Sequence, residues 1–381
     1  MNRQMVLVVT GKVVFLIGVL MCLPIIVALY YQEGWTSLAP LLKATAITLL
    51  CGGLFAFRKP KNKSIYVREA LAITGLSWLL TVFFGALPFI FSEAIPSFID
   101  AIFESASGFT TTGSSILTDV EALPNSLLFW RSFSHFIGGM GVLVFALALI
   151  PGSSGESVQL MKTEMPGPTF EKVMSRVREV ARVFYVLYAV FTILLIVILI
   201  IAGMTPYDAA IHAMGTAGTG GFSNYGASIG AFNSPLIEWI ITAFMILFGI
   251  NFALFFRMLI GDWRGVFRSE ELHWYLGIIG GVILAITVLL LPQYGNFFTA
   301  LRYASFQSAS IMSTTGYATA DFNLWPPAAK MLLLILMFIG SCAGSTAGGM
   351  KVIRIAMLCK EGRREIRHTF QPRKVQVVRF E

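Results

Sequence analysis

The chain has 381 residues, 56% of them hydrophobic and only 13% charged, with a mean hydropathy of +0.76. Soluble domains carry roughly 25% charged residues, so a soluble enzyme or nucleic-acid-binding domain is excluded, and apolar runs of about 20 residues specify an all-α polytopic membrane protein. The net charge of +8 sits in the loops between those runs, where it reports membrane orientation rather than a nucleic-acid partner.

In chain order the spacing predicts spanning helices at Leu7–Tyr31, Leu38–Phe57, Ala70–Phe91, Ser126–Ile150, Val183–Gly203, Pro235–Ile260 and Tyr275–Leu291, and a shorter one at Pro327–Gly340. The first run is too long for a signal peptide and lacks a small-residue cleavage pattern. Basic residues mark alternate loops: Arg58, Lys59, Lys61, Lys63 and Arg68; then Lys162, Lys172, Arg176, Arg178 and Arg182; then Arg264 and Arg268; then the tail from Lys351. The segments Ser92–Trp130 and Met204–Phe256 have no Lys or Arg, and Pro292–Pro326 has only Arg302. The first set is expected in the cytoplasm, with the N-terminus (Arg3, Lys12), and the second outside. Cys22, Cys51, Cys342 and Cys359 show neither metal-ligand nor disulfide spacing and read as packing residues.

The outward segments resemble one another: "SASGFTTTGSS" (Ser105–Ser115), "MGTAGTGGFS" (Met214–Ser223) and "SASIMSTTGYATADF" (Ser308–Phe322). Aligning Gly113, Gly220 and Gly316 gives a repeat of about 100 residues, an architectural signal. Each glycine follows a short, partly apolar stretch: Ser97–Phe109, Tyr207–Gly215 and Phe297–Met312. The unit reads as helix, half-length helix, threonine–glycine strand, helix.

Non-helical backbone at membrane depth survives only where protein or a water-filled cavity surrounds it. A strand without a sheet partner offers carbonyl oxygens, threonine adds hydroxyls, and glycine allows the positive φ that aims successive carbonyls at one axis. Rings of such oxygens replace the hydration shell of a monovalent cation. Asp100, Glu104, Asp119, Glu121, Asp208 and Asp321 surround the outer mouth in this reading and would concentrate cations. Ser, Thr and Gly also let membrane helices pack closely, but three aligned copies, each after a half-length helix, outweigh packing alone.

At these residues, and at "ASIG" (Ala227–Gly230) and "GSCAGSTAGGMKVIRI" (Gly340–Ile355), the chain resembles the Trk/Ktr/HKT superfamily of potassium transporters, most closely the bacterial TrkH/TrkG branch. The resemblance covers nearly the whole chain. It implies two leading helices and then four helix–pore loop–helix repeats around a central pore. The expected divisions are 1–68, repeat one at 69–181, repeat two at 182–271, and repeat three with a basic tail at 272–381. It implies potassium-binding filter residues Thr110, Thr111, Thr112 and Gly113, Gly218, Thr219 and Gly220, and Thr314, Thr315 and Gly316. It further implies a homodimer, a cytoplasmic nucleotide-binding regulatory subunit of the TrkA type, and a place in the bacterial inner membrane. The second strand carries an additional glycine, so its carbonyls are expected to be held less rigidly.

The segment Gly340–Lys351 lies too near Gly316 to be a fourth filter. Pro327–Gly340 has 14 residues, about 21 Å of helix, short of a ~30 Å hydrocarbon core. The second helix of repeat three is therefore expected to break at a polar loop, and the resemblance makes that loop a gate: Gly340, Gly344, Ser345, Thr346, Gly348, Gly349 and Lys351. A fourth repeat is expected from the resemblance and is not written in the chain, which reads as truncated.

Arg131 and His135 are intramembrane ionisable groups; a structural pairing of Arg131 with an outer acid is the expectation. "GGMG" (Gly138–Gly141) reads as a close helix contact. Glu238, Asn251 and Lys330 carry no assignment, and His212, His273 and His368 show no ligand spacing. No nucleophile–base pair, metal cluster or phosphate loop is present, so neither catalysis nor a cofactor is expected, and potassium enters only as substrate. The alternatives are a proton- or sodium-coupled potassium symporter, for which Glu238 is the candidate titrating carboxylate, and a non-conducting fragment.

Overall fold

Apolar runs in a bilayer become helices because no water is present to bond a free backbone group. The computed structural model follows that rule over the residues it describes, 2–60, 65–141 and 177–371. The ends of the predicted Ser126–Ile150 helix and of the basic tail, and Lys61, Lys63, Lys162, Lys172 and Arg176, lie outside the described residues. Among the described residues no strand is paired in a sheet and there is only an isolated bridge, so the threonine–glycine segments are strands only in the sense of chain without a sheet partner. The chain forms two compact units, Met1–Ser228 and Ile229–Glu381.

The first unit opens with α1 (Arg3–Leu20) and α2 (Cys22–Tyr30), which run as one 28-residue apolar helix. It packs on α3 (Trp35–Ala56) through glycine. A methyl on Gly52 would lie 2.6 Å from the Phe15 Cα, so the two backbones touch. Then come α4 (Val67–Phe91), α5 (Phe98–Phe109), α6 (Asn125–Gly139), α7 (Val177–Ile201) and α8 (Pro206–Ala217). Glu69 ties α4 to the chain start, accepting from the amides of Asn2 at 2.8 Å and Tyr66 at 3.1 Å. The core gathers Ile17, Met21, Ile73, Phe89, Phe109 and Trp130.

The second unit holds α9 (Pro235–Phe248), α10 (Phe252–Leu259), α11 (Trp263–Phe267), α12 (Glu270–Tyr294), α13 (Phe297–Met312), α14 (Pro327–Phe338) and α15 (Val352–Phe370). Its core is built from Ile286, Leu290, Ala304, Trp325 and Leu333.

Two differences from the sequence expectations stand out. The predicted Pro235–Ile260 helix is two helices, α9 and α10, bent by 90° at Gly249–Asn251. The bend forms because backbone groups that would close the helix bond elsewhere. The Gly249 carbonyl accepts from the Cys342 amide at 3.0 Å, and the Phe252 amide donates to the Gly344 carbonyl at 3.1 Å. Asn251 then caps α10, its side chain accepting from the Ala253 amide at 2.9 Å. The basic segment after Lys351 is also a helix, α15, which holds to the start of α12 through Lys360 and Glu270, 2.5 Å apart.

Candidate functional site

The half-length helices α5, α8 and α13 have 12, 12 and 16 residues, about 18 to 24 Å, so none crosses a bilayer. Each starts at a polar cap: Ser97 accepts from the Asp100 amide, Thr205 from that of Asp208, and Asn296 from that of Phe298. Each ends in the same hydrogen-bonded reversal. The Thr111 amide donates to the Gly108 carbonyl at 3.1 Å and the Thr112 amide to that of Ser107 at 2.9 Å. Thr219 and Gly220 repeat this pair on Thr216 and Gly215, and Thr314 and Thr315 on Ile311 and Ser310. It is the Schellman closure, which needs a left-handed residue after the cap.

That residue is threonine each time: Thr111 at φ 55°, Thr219 at 52° and Thr314 at 59°. A β-branched residue is disfavoured there by roughly 1–2 kcal/mol, and such strain collects at functional sites. Two residues later φ is positive again, at Gly113 (77°), Gly221 (78°) and Gly316 (85°). Alternation of the sign of φ lets successive carbonyls face one side, as a carbonyl ring requires. The C-terminal end of each half-helix runs into this turn, and its negative dipole end favours a cation.

The repeat alignment is corrected by this geometry. The residue matching Gly113 and Gly316 is Gly221, not Gly220, which matches Thr112 and Thr315 and has no positive φ. Gly221 is the residue that sequence reasoning missed. The additional glycines of the second strand are closely packed. Gly218, Thr219 and Gly220 are buried, and a methyl on Gly220 would lie 2.5 Å from Cγ and from Cε1 of the His135 ring. In the other two strands hydroxyl-bearing residues stand at the matching positions: Thr110 and Thr112 are bonded at 2.8 Å, and Ser313 and Thr315 at 2.7 Å.

Arg131 fulfils the pairing expected of it. Its Nε donates to Glu104 at 2.7 Å, with both side chains buried. Its other nitrogens reach the Ser115 hydroxyl at 3.2 Å and the Ser223 carbonyl at 3.3 Å, so one guanidinium holds the segments that leave the first two turns. Glu104 also accepts from the Ile116 amide at 3.0 Å. Glu104 is therefore not a mouth acid, and Asp208 is not one either: it is buried and accepts from Asn224 at 2.7 Å. Asp119, Glu121 and Asp321 are exposed and Asp100 half-buried. His212 bonds the Asp208 carbonyl through Nδ1 at 2.8 Å and Ser223 through Nε2 at 2.9 Å, which pins the second strand's exit to α8. The glycines of the "GGMG" run make the expected close contact, but with the turns: Gly138 approaches the Phe109 carbonyl and Thr111, and Gly139 the Cα of Gly218.

In the second unit, residues 339–351 interrupt α14 and α15, and all seven loop residues singled out in the sequence, Gly340, Gly344, Ser345, Thr346, Gly348, Gly349 and Lys351, lie in this break. Its two legs pair through Ile339 and Met350: Gly340 donates to the Met350 carbonyl at 2.9 Å and Met350 to that of Phe338 at 3.3 Å. Gly340 has no room for a side chain against Gly348 and Gly349, and Gly344 and Gly349 have positive φ of 68° and 72°. Ser345 bonds the Cys342 carbonyl, Thr346 that of Phe248 at 3.3 Å, and the Lys351 ammonium that of Ala347. Glu271, which carried no sequence assignment, accepts from the Ala343 amide at 2.6 Å. The Gly348 amide donates to the Thr314 hydroxyl at 2.8 Å, joining the loop to the third turn. Glu238 faces Arg302 at 3.2 Å, so the candidate titrating carboxylate is an ion-pair partner. Among the described residues no group of His, Cys, Asp and Glu could hold a metal ion.

The family model for TrkH, described as a cation transport protein, matches residues 37–294 and 296–381. The chain belongs to the TrkH family. It is 36% identical over 378 residues to the Trk system potassium uptake protein TrkH of Salmonella typhimurium, covering 98% of this chain and 78% of that one. It is 34% identical to the Trk system potassium uptake protein TrkG of Escherichia coli, with 98% and 78% covered. The crystal structure of the potassium transporter TrkH from Vibrio parahaemolyticus superposes with a TM-score of 0.86 at 33% identity, covering 100% of this chain and 79% of that one. TrkH-family proteins are membrane transport proteins, not enzymes. In this TrkH-family chain the threonine–glycine turns and the interrupted α14–α15 segment are the candidate functional elements.

Proposed function

We propose that this chain is the pore-forming part of a Trk-type potassium uptake system, and that the three turns bind dehydrated potassium. The observation that carries the reading is the threefold recurrence of one strained closure. A half-length helix ends on a left-handed threonine, and a glycine of positive φ follows two residues later. The same closure at Gln32 and Gly34 ends a leading helix without threonine; among the described residues only the half-length helices place a β-branched threonine there. The names of the relatives, potassium uptake proteins, supply the ion.

In this reading Thr110–Gly113, Gly218–Gly221 and Thr314–Gly316 offer the oxygens. The repeats occupy 69–181, 182–271 and 272–381, after leading helices in 1–68. Residues Gly340–Lys351 act as a gate. The N-terminus lies in the cytoplasm and the protein in the bacterial inner membrane, as a homodimer with a nucleotide-binding regulatory subunit of the TrkA type. The Glu238–Arg302 pair favours gradient-driven flux over co-ion coupling, because its carboxylate is already engaged.

Rubidium uptake into liposomes holding the chain tests the reading. Uptake above empty liposomes, competed by potassium and abolished by Gly113→Ala or Gly316→Ala, is the expected result. Uptake absent from the unaltered chain, or unaffected by either substitution, overturns it.

A further inference from the structure

The second strand is the one of the three without a hydroxyl pair at the positions on either side of its left-handed residue. Thr110 and Thr112 bridge across the left-handed Thr111, and Ser313 and Thr315 bridge across Thr314. At the matching positions stand Gly218 and Gly220, and neither has the positive φ that would itself call for glycine. The reason for glycine is His135, from α6. The three atoms nearest a methyl on Gly220 are all atoms of its ring, and those nearest a methyl on Gly218 are its carbonyl and Cβ.

His135 is itself held. It is fully buried. Its ring stacks on Phe222, centroids 4.1 Å apart and planes 20° apart. The Phe222 amide makes a long 3.5 Å approach to Nδ1. One turn earlier on α6, Arg131 lies over the same Phe222 ring at 4.0 Å. Nε2 of His135 is buried with no hydrogen-bond partner among the described residues. A buried polar nitrogen without a partner is costly, and an apolar ring would fill the space without that cost. Gly220, the stack and the orphan nitrogen centre on one side chain, whereas Gly218 makes way for the backbone carbonyl of the same residue.

We propose that His135 is the specificity-determining positioning residue of the second strand. Its imidazole replaces the hydroxyl bridges of the other two strands and sets where the carbonyls of Gly218–Gly221 stand. The assignment rests on the reading of the turns as cation sites. Carbonyl position decides how well an ion's hydration shell is replaced, so the ring acts on the choice between potassium and sodium without touching the ion.

The test is reciprocal suppression between His135→Ala and Gly220→Ala in the full chain. Two measurements are made: the rise in thermal midpoint with potassium and with sodium in detergent, and the rubidium-to-sodium uptake ratio in liposomes. Each single substitution is expected to lower potassium-over-sodium preference roughly tenfold, about 1.4 kcal/mol. The double variant is expected to recover most of it, because the methyl then occupies the space the ring has left. If Gly220→Ala does not fold alone, recovery of folded protein in the double variant reports the same suppression. Unchanged preference in His135→Ala, additive losses, or a double variant that accumulates less than Gly220→Ala alone overturns the assignment. A wild-type chain with neither a cation-dependent midpoint nor uptake overturns the cation-site reading itself, a result distinct from intact wild-type preference with an indifferent His135.

Discussion

The Gly348 amide is hydrogen-bonded to the Thr314 hydroxyl at 2.8 Å, so the loop between α14 and α15 is fastened to the residue that starts the third strand. The same hydroxyl lies 2.6 Å from the Ser313 carbonyl. It serves the turn and the loop together, and a change at either end reaches the other.

Thr314→Val keeps the β-branched shape and removes the acceptor. The substitution is expected to cost about 1 kcal/mol for the lost bond and to change the rate of rubidium uptake, while Thr314→Ser retains both. Thermal midpoints and initial uptake rates measured side by side check this. A valine variant with wild-type uptake would separate loop from strand.

Arg131 and Glu104 form a buried pair, and removing one partner leaves a charge without compensation. Arg131→Met or Glu104→Met alone is expected to destabilise by about 3–5 kcal/mol, with a smaller loss when both are changed. Thermal unfolding of the three variants in detergent gives the coupling.

Gly249 sits where α9 turns into α10. A methyl there would lie 2.8 Å from the Ser341 hydroxyl and 3.0 Å from the Tyr275 ring carbon that bears its hydroxyl. Gly249→Ala is expected to cost about 1–3 kcal/mol through overpacking and to alter uptake. Tyr275→Phe, which removes the nearest atom, should recover part of the loss. Uptake and midpoint of the double variant decide.

Glu238 faces Arg302 with 6% of its side chain exposed. Glu238→Gln is expected to lower stability by about 3 kcal/mol, because Arg302 loses its counter-charge, and to leave flux free of any co-ion requirement. Rubidium uptake with and without a proton or sodium gradient tests this. A co-ion dependence that vanishes in the variant would instead make Glu238 the coupling site.

Much of this was legible in the sequence because local rules agree with the fold. The third half-helix is legible residue for residue as Phe297–Met312. The loop after α14 is legible from helix length together with the family resemblance. The register of the second strand was not. Gly215, Gly218, Gly220 and Gly221 look alike in sequence, yet Gly221 answers to φ and Gly220 to an imidazole from another helix. The bend at Gly249–Asn251 was hidden inside a continuous apolar run, with Asn251 as its single polar mark. Glu104 was misplaced at the mouth because a carboxylate's letter does not disclose the arginine that buries it.

The Ile339–Met350 pairing also has a mechanical side. The Val352 amide, at the head of α15, donates to the Ser341 carbonyl, so the two legs are clasped where the loop meets its helices. A clasped loop has little slack. Displacement of the basic helix α15 would be delivered into the loop as a lever delivers it, and Gly348, four residues before that helix, carries the bond to Thr314.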